Sequence, residues 1–265
     1  MDGFPAFAPE LALSNDGAPE GAHHRLDEMQ AKSFWFRARN RLIQDLVRRY
    51  FADARNVLEI GCGTGFVLSG IREVLPEAQL VASEAYSHGL PYAAKRVSPP
   101  CEFLQMDARA VPFSGEFDLV GAFDVLEHID EDGAVLGEAR RALRAGGGLL
   151  ITVPQHRWLW SRFDEESFHR RRYSPGQLAH VLRRQGFQVL RETSFVFFLL
   201  PLMIMQRLGA GRRRGYDPAR EFALPAVVEK SFEALLDLER LLIRMRVRLP
   251  IGGSQVVVAK KDGSG

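Results

Sequence analysis

The sequence predicts an α/β fold with a seven-stranded, doubly wound and mostly parallel sheet. Short apolar runs that suit buried strands alternate along the chain with segments of helical periodicity. One such run, at 57–60, leads directly into Gly61, Gly63 and Gly65 and then into a segment that can open a helix. At 265 residues, 46% of them hydrophobic, the chain suits one large domain with an elaborated insert.

The chain is predicted to begin with a flexible arm followed by a helical cover. Residues 1–24 contain three prolines and three glycines, a composition typical of loops, and we expect them to form a flexible N-terminal arm. From 25 to 51 apolar residues recur every three to four positions, which predicts an amphipathic helix. This helix is expected to cover one side of the sheet.

Strands and helices then alternate. The runs that predict strands lie at 56–60, 79–83, 101–106, 117–122, 148–153, 187–190 and 255–259. Helical segments lie at 65–75, 87–96 and 131–144. The glycines at 146–148 are expected to end the last of these helices. A further helix is expected from Ser174 to about residue 185, because serine is a good N-cap and Pro175 a good first residue.

Residues 194–252 separate the last two predicted strands, and we expect them to form a helical insert or lid. Connections in compact domains are typically about 4–6 residues long. Within the insert, 195–205 is the most apolar run of the chain, too short to cross a bilayer. Basic residues follow it, at Arg207, Arg212, Arg213 and Arg214. The pattern fits a lid over a lipid-like acceptor, peripheral membrane contact through 195–214, or a homodimer interface, and these alternatives stay open.

The composition of the chain limits which partners, metals and cellular locations are expected. A formal net charge of +2 argues against a nucleic-acid partner, and no N/D-P-P-Y tetrapeptide follows the fourth strand. The two cysteines, Cys62 and Cys101, form no metal-type pair, so no metal is expected and a reducing cytoplasm is the default location. The N-terminus does not resemble a signal peptide.

Candidate cofactor contacts follow the predicted strand ends, where doubly wound sheets bind ligands. Glycines at 61–65 allow a close approach of the backbone to a ligand. Glu84 follows the second strand, roughly twenty residues after the glycines, the spacing expected of a ribose-binding acid. A carboxylate there can accept hydrogen bonds from both ribose hydroxyls. Asp107 ends the third strand, where it can accept from an adenine amino group, and Phe123 and Asp124 end the fourth.

The run Glu59-Ile60-Gly61-Cys62-Gly63-Thr64-Gly65 resembles the S-adenosylmethionine (SAM) loop of class I methyltransferases. Its spacing differs from the G-x-G-x-x-G fingerprint, which weighs against the alternative of a Rossmann-type dehydrogenase. The resemblance covers about 56–192 and 253–260. It implies a Rossmann-like domain, 25–193 with 253–261, whose antiparallel last strand is separated from its hairpin partner by the insert. The implied SAM-binding residues are Arg39, Glu59, Gly61, Cys62, Gly63, Gly65, Glu84, Asp107, Ala108, Phe123 and Asp124.

Three segments resemble one branch of that family. Residues 34–40 are similar to an aromatic-basic helix that covers the SAM pocket of small-molecule and lipid-type members. Residues 124–128 are similar to the "LEH" helix start of ubiquinone-pathway O-methyltransferases, and 169–174 to a segment of uncharacterised bacterial members. The resemblance implies a small or lipid-linked organic acceptor without identifying it. Arg39 is expected to pair with the methionine carboxylate of SAM, because guanidinium matches carboxylate in a bidentate geometry; the alternative is a residue that only solvates its helix.

A hydroxyl acceptor needs a base, and histidine suits that role near neutral pH. The candidates are His128, His169 and His156, although His128 would equally suit helix packing. Residues expected to contact the acceptor are Trp35, Trp160, Arg171, Arg172 and Tyr173. Trp35 would equally suit the core, and the arginines a charged surface with one of them paired to Asp164 or Glu165. A catalytically silent scaffold at a membrane surface is the alternative from another functional class.

Overall fold

The computed structural model describes residues 3–14, 21–210 and 224–263. Seven strands form one sheet in the order β3-β2-β1-β4-β5-β7-β6. The bounds are β1 Asn56–Ile60, β2 Gln79–Glu84, β3 Cys101–Gln105, β4 Phe117–Phe123, β5 Leu143–Pro154, β6 Phe187–Phe195 and β7 Ser254–Lys261. Strands β1 to β5 pair in parallel, and β7 is antiparallel to both β5 and β6. The predicted fold class is confirmed.

Helices cover both faces of this sheet. Their bounds are α1 Pro9–Ser14, α2 Ala22–Lys32, α3 Phe34–Tyr50, α4 Phe66–Val74, α5 Leu90–Arg96, α6 Asp132–Ala142, α7 Arg162–Glu166, α8 Gln177–Arg184, α9 Leu200–Ala210 and α10 Ala226–Arg244. The helix predicted over 25–51 is divided at Ser33, whose extended backbone (φ −80°, ψ 129°) ends α2. The prediction that the glycines at 146–148 end a helix was wrong, because α6 ends at Ala142 and these glycines lie within β5.

Alternation along the strands builds a core on each face of the sheet. Successive strand residues point to opposite faces, and Val57 and Leu58 in β1 accordingly join different buried clusters. One cluster includes residues of α3, α4 and α10, and the other residues of α6 and α8. Strand order reverses at β1, which has β2 on one side and β4 on the other. Ligands bind at such a switch point, outside the carboxyl ends of the strands.

The described part of the N-terminal arm, 3–14, lies along the edge strand β3. The amide of Phe7 donates to the Gln105 carbonyl at 2.8 Å, and the Gln105 amide donates to the carbonyl of Pro5 at 2.8 Å. A paired edge is protected from association with other chains. The arm therefore extends the sheet beside the end of β3.

Within the insert, α10 packs on α3 through side chains of opposite charge. Arg37 contacts Glu233 at 2.6 Å, and Arg240 contacts Asp45 at 2.7 Å. These pairs fix α10 over the helical cover. Across the described ranges, none of the helices has the length and apolarity that a bilayer crossing needs. The basic residues Arg212, Arg213 and Arg214, part of the segment predicted to contact a membrane surface, lie outside the described residues.

Candidate functional site

The glycine loop that follows β1 requires glycine at alternating positions. Gly61, Gly63 and Gly65 have φ values of 70°, 53° and 75°, a region that glycine enters without steric cost. A Cβ on Gly61 would lie 2.5 Å from Val125 Cγ2, whereas one on Gly63 would meet nothing closer than 3.6 Å. The loop is thus packed at its first glycine and open at its second.

Glu84 at the end of β2 points toward this loop. Its Oε2 accepts a hydrogen bond from the Gly63 amide at 2.8 Å, and its Oε1 accepts one from the Ala85 amide at 2.8 Å. Each carboxylate oxygen has a second lone pair and can accept another hydrogen bond. The carboxylate is therefore held at the loop with capacity for two further donors.

A cavity of 1080 Å³ opens along the carboxyl ends of the strands, between the glycine loop and the insert. Sites for drug-sized ligands are about 300–1,000 Å³, so this one has room for a nucleoside cofactor together with a second molecule. Its wall includes most of the predicted cofactor contacts, namely Arg39, Glu59, Gly61, Cys62, Gly63, Glu84, Asp107, Ala108, Phe123 and Asp124. Of that set only Gly65 lies outside the wall, since its backbone packs on Ala93 beneath the loop.

Arg39 lies between acidic groups in this wall. It is 5% exposed, pairs with Asp124, and stacks with its guanidinium carbon 4.5 Å from the centroid of the Trp35 ring. Burial lowers the pKa of Arg39 to about 10, although Glu127 and Glu59 oppose this shift. Burial also raises the pKa of Glu59 well above its ordinary value, and Arg39 offsets part of that rise.

Asp107 lies at the end of the cavity near β3. Burial raises its pKa, but hydrogen bonds from Arg109, including one of 2.9 Å from Nη2, outweigh that effect and leave the pKa below its ordinary value. The carboxylate is therefore ionised near neutral pH and is able to accept hydrogen bonds. Ala108, the next residue in the chain, contributes buried apolar surface, as Phe123 does at the end of β4.

Glu127, His128 and His169 form what we call the polar cluster, on the wall of the same cavity beyond the end of β4. The rings of His128 and His169 meet edge to face with centroids 4.8 Å apart. His169 Nδ1 lies 2.9 Å from Asp164 Oδ1. Protein surrounds the His128 ring on most sides although its cavity face is solvent-accessible, and this desolvation together with His169 lowers the pKa of His128 to about 4.

Glu127 is the most unusual member of the polar cluster. Its side chain is fully buried, and neither carboxylate oxygen has a hydrogen-bond partner among the described residues. Burial raises the pKa of Glu127 to about 8, against the opposing charges of Arg39 and Arg172. Buried carboxylates are normally paired or bound to a cation, so this one is a candidate functional group.

Asp164 holds the His169 side chain of the polar cluster in place. It is fully buried and accepts hydrogen bonds from Arg172 Nε at 2.7 Å and from the Ser161 amide at 2.8 Å, in addition to His169. The opposing effect of burial is outweighed by His169 and Arg172, which hold the pKa of Asp164 well below its ordinary range. Arg172, predicted as an acceptor contact, reaches the cavity wall while paired to this acid.

Several predicted acceptor contacts lie outside the cavity wall that the described residues form. The Tyr173 side chain is fully buried and its hydroxyl donates to Asp132 at 2.9 Å, while Arg171 pairs with the same acid at 3.1 Å. His156 is buried and stacks on Trp158 with ring centroids 4.9 Å apart. Trp160, after a short 3₁₀ turn, is also outside the wall, whereas Trp35 lies within it.

Sequence reasoning missed two residues of the wall. His23, which was not among the candidates selected from the sequence, lines the cavity from α2, and burial lowers its pKa although Glu84 opposes the shift. Its position depends on how α2 folds back over the sheet, which no local pattern encodes. Glu127 lies within the motif at 124–128, but no functional role was predicted for it from the sequence. Its place four residues after Phe123, the last residue of β4, was the available signal.

Comparison with known proteins gives a consistent family. A family model described as a methyltransferase domain matches residues 34–192. A trans-aconitate 2-methyltransferase of Azoarcus sp. is 32% identical over 142 residues, 53% of this chain and 53% of that protein. A probable SAM-dependent methyltransferase of Mycolicibacterium smegmatis is 26% identical over 184 residues, 68% of this chain and 69% of that protein. The chain thus spans about half the length of the first of these relatives.

Solved structures support the fold. The crystal structure of the [4+2]-cyclase SpnF aligns with a TM-score of 0.62 at 18% identity, over 98% of this chain and 97% of that one. A Haemonchus contortus phosphoethanolamine N-methyltransferase solved with SAM aligns with a TM-score of 0.54 at 17% identity, over 83% of this chain and 52% of that one. At such identities the likeness speaks for the architecture alone.

Proposed function

Since this chain belongs to the family of SAM-dependent methyltransferases, we propose that it transfers the SAM methyl group to a hydroxyl oxygen of a small organic or lipid-linked acceptor. The observation that carries this proposal is one continuous cavity that holds the glycine loop and Glu84 at one side and the polar cluster at the other. A donor and an acceptor bound in it would lie side by side. Alignment of two bound reactants can remove roughly 7–11 kcal/mol of a barrier.

In this arrangement SAM would lie over the β1/β4 switch point. Glu84 would accept hydrogen bonds from the ribose hydroxyls, Asp107 would accept from the adenine amino group, and Arg39 would face the methionine carboxylate. The sulfonium would then lie near Phe123 and Asp124, toward the polar cluster. The chemistry of each of these wall groups matches the part of the cofactor assigned to it.

The polar cluster favours a hydroxyl acceptor, because a hydroxyl must lose its proton before or during methyl transfer. Imidazole and carboxylate groups accept protons, and three of them are gathered here. A carboxylate acceptor, as the name of the trans-aconitate 2-methyltransferase would suggest, needs no base and would prefer a cation. Of the guanidinium groups on this wall, Arg172 is paired with the buried Asp164, and Arg39, which is paired with Asp124, is assigned here to the methionine carboxylate of SAM. An acidic acceptor would therefore have to use the more exposed Arg170.

The remaining wall of the cavity favours an acceptor with an apolar body. Apolar side chains from the start of the insert and from both of its described helices face the cavity, at Val196, Leu199, Leu202, Met203 and Phe232. Burial of apolar surface stabilises a complex by about 25 cal/mol per Å². A hydroxylated aromatic or a lipid-linked molecule would place its hydroxyl at the polar cluster and its body against this wall.

The decisive experiment measures methyl transfer and its product. We would incubate the protein with methyl-labelled SAM and a panel of matched pairs, each a hydroxylated apolar molecule and its carboxylic-acid analogue. Label in the hydroxyl compounds, with the ether identified by mass spectrometry, is the expected result. Label only in the acids would assign the carboxylate alternative. Failure to bind SAM or S-adenosylhomocysteine in calorimetry would instead favour the catalytically silent scaffold.

Exposed apolar side chains of the insert support contact with a membrane surface or with a second copy of the chain. Met205 in α9 is 68% exposed, and Leu238 and Leu241 in α10 are 46% and 45% exposed. Flotation with anionic liposomes would test the membrane contact, and sedimentation would test the dimer. A Met205→Glu variant should reduce flotation, and a protein that stays monomeric and unbound to every vesicle would remove both proposals.

A further inference from the structure

The polar cluster has the donor set of a metal site. One carboxylate oxygen of Glu127 and one ring nitrogen each of His128 and His169 lie within 4.8 Å of one another. All three residues line the cavity, so an ion held there would keep open positions facing it. Two imidazoles and one carboxylate suit divalent transition metals such as Zn²⁺ and Mn²⁺, whereas Mg²⁺ and Ca²⁺ prefer oxygen ligands alone.

The second observation is the buried carboxylate without a partner. Glu127 is fully buried, and within the part of the chain that the structure describes neither of its oxygens accepts a hydrogen bond. Its two nearest opposing charges, Arg39 and Arg172, are committed to Asp124 and Asp164. A bound cation would satisfy this carboxylate, since buried charges in proteins are paired or coordinate metals.

The third observation is that His169 is oriented from outside the cluster. His169 Nδ1 lies 2.9 Å from Asp164 Oδ1, so the ionised acid holds the proton on Nδ1 and leaves the lone pair of Nε2 for a ligand. Metal-binding histidines almost always donate their other ring N–H to a carboxylate or a backbone carbonyl.

We propose that Glu127, His128 and His169 bind one divalent transition-metal ion, a departure from the metal-free site expected from the sequence. The role of that ion rests on the proposed function. The acceptor hydroxyl would bind to the ion, which lowers its pKa, and its proton would pass to water. An oxygen lone pair then forms the bond to the methyl carbon as the carbon–sulfur bond breaks. Both electrons of the broken bond stay on sulfur, which becomes a neutral thioether.

The geometry requires only a small closure. Ligand atoms in a tetrahedral zinc site with bonds of about 2.0–2.1 Å lie about 3.4 Å apart. From a widest separation of 4.8 Å, side-chain rotation would have to bring the donors together by about 1.4 Å. His128 is solvent-exposed, which leaves room for its side chain to rotate.

The site can be tested without SAM or acceptor. Tag-free protein, stripped with EDTA and dialysed, would be titrated with Zn²⁺ and with Mn²⁺ in a calorimeter. We expect one equivalent to bind, with at least a 100-fold weaker affinity in Glu127→Gln and in His169→Gln. His180→Ala, which removes an exposed histidine of α8, should leave the affinity unchanged. Wild-type protein that binds neither ion, or a Glu127→Gln variant that binds as the wild type does, would overturn the proposal.

Two further measurements cover variants that fail to fold and separate this site from the reaction. Anomalous scattering from zinc-soaked wild-type crystals should place an ion about 2.0–2.1 Å from His169 Nε2, and an ion bound elsewhere would refute the site. Methyl transfer that is unchanged after EDTA treatment would refute the role of the ion in the reaction and leave the proposed function intact. Metal binding in a protein that does not bind SAM would support the metal site and refute the proposed function.

Discussion

The carboxylate of Glu84 offers the most direct quantitative test of the proposed SAM site. Both of its oxygens accept loop amides at 2.8 Å, one from Gly63 and one from Ala85, so the group is already positioned before any ligand binds. If the remaining lone pairs accept the two ribose hydroxyls, Glu84→Ala removes two charge-assisted hydrogen bonds. Each is worth about 1.5–3 kcal/mol, so a net loss of about 3 kcal/mol corresponds to a roughly 100-fold higher Kd.

Calorimetric titration with S-adenosylhomocysteine would measure this loss directly. Glu84→Gln keeps one carbonyl oxygen as an acceptor, and its Kd should rise only about tenfold, since about half of the interaction energy remains. Glu102→Ala is the matched control, because Glu102 is an exposed residue of the neighbouring strand β3 outside the cavity wall. Thermal melts would check that the loop still folds. A Glu84→Ala protein that folds normally and binds within threefold of wild type would refute this account of the site.

Three other substitutions test the loop, the support of the polar cluster and the insert. Gly61→Ala forces a side chain into φ 70° with its Cβ 2.5 Å from a valine methyl, so it should bind S-adenosylhomocysteine at least tenfold more weakly than Gly115→Ala, which has φ 69° and open space; equal binding would contradict this. Asp164→Asn leaves the buried Arg172 uncompensated and should lower the free energy of unfolding, measured by urea denaturation, by about 3–5 kcal/mol. A loss below about 1 kcal/mol would show that the pair is not buried in solution. Burial raises the pKa of Glu239 although its Oε1 accepts a hydrogen bond from the Phe198 amide at 2.7 Å, so its contribution to stability is present below the unfolded pKa of about 4.3 and is lost as pH rises through the folded value. The stability of Glu239→Gln relative to wild type should therefore increase between pH 4.5 and pH 7.5, and a constant difference would contradict the shift.

The sheet was predictable from the sequence because its pattern is local. All seven predicted strands overlap observed ones, since short apolar runs bounded by turn residues suit strands buried on both faces. Helix ends were harder. Nothing periodic marks Ser33 as the break between α2 and α3, and the glycines at 146–148 suited a helix end as well as the start of a strand. These glycines belong to strand β5 because the strand pairs with β4, where Leu119 lies opposite Gly148.

The site was predictable where chemistry follows a strand end, and unpredictable where it depends on long-range packing. Glu84 and Asp107 follow β2 and β3, so topology alone places them at one edge. The partner of His169 is Asp164, which lies five residues earlier in the short helix α7. The orientation of His169 toward His128 depends on how the residues after β5 return to the end of β4. A sequence names these histidines as candidates, but it does not say which of them meet.

The balance of buried charge in the cavity wall favours a positively charged donor. Glu59, Asp124 and Glu127 surround one guanidinium, that of Arg39, and burial raises the pKa of both Glu59 and Glu127. Buried acids without full pairing are unfavourable for stability, and such departures from good packing are expected at functional sites. A sulfonium bound among them would favour their ionised forms and be attracted to them, whereas the neutral thioether left after methyl transfer would not. If SAM binds at this wall as proposed, the wall would therefore hold the spent cofactor less tightly, which would promote its release.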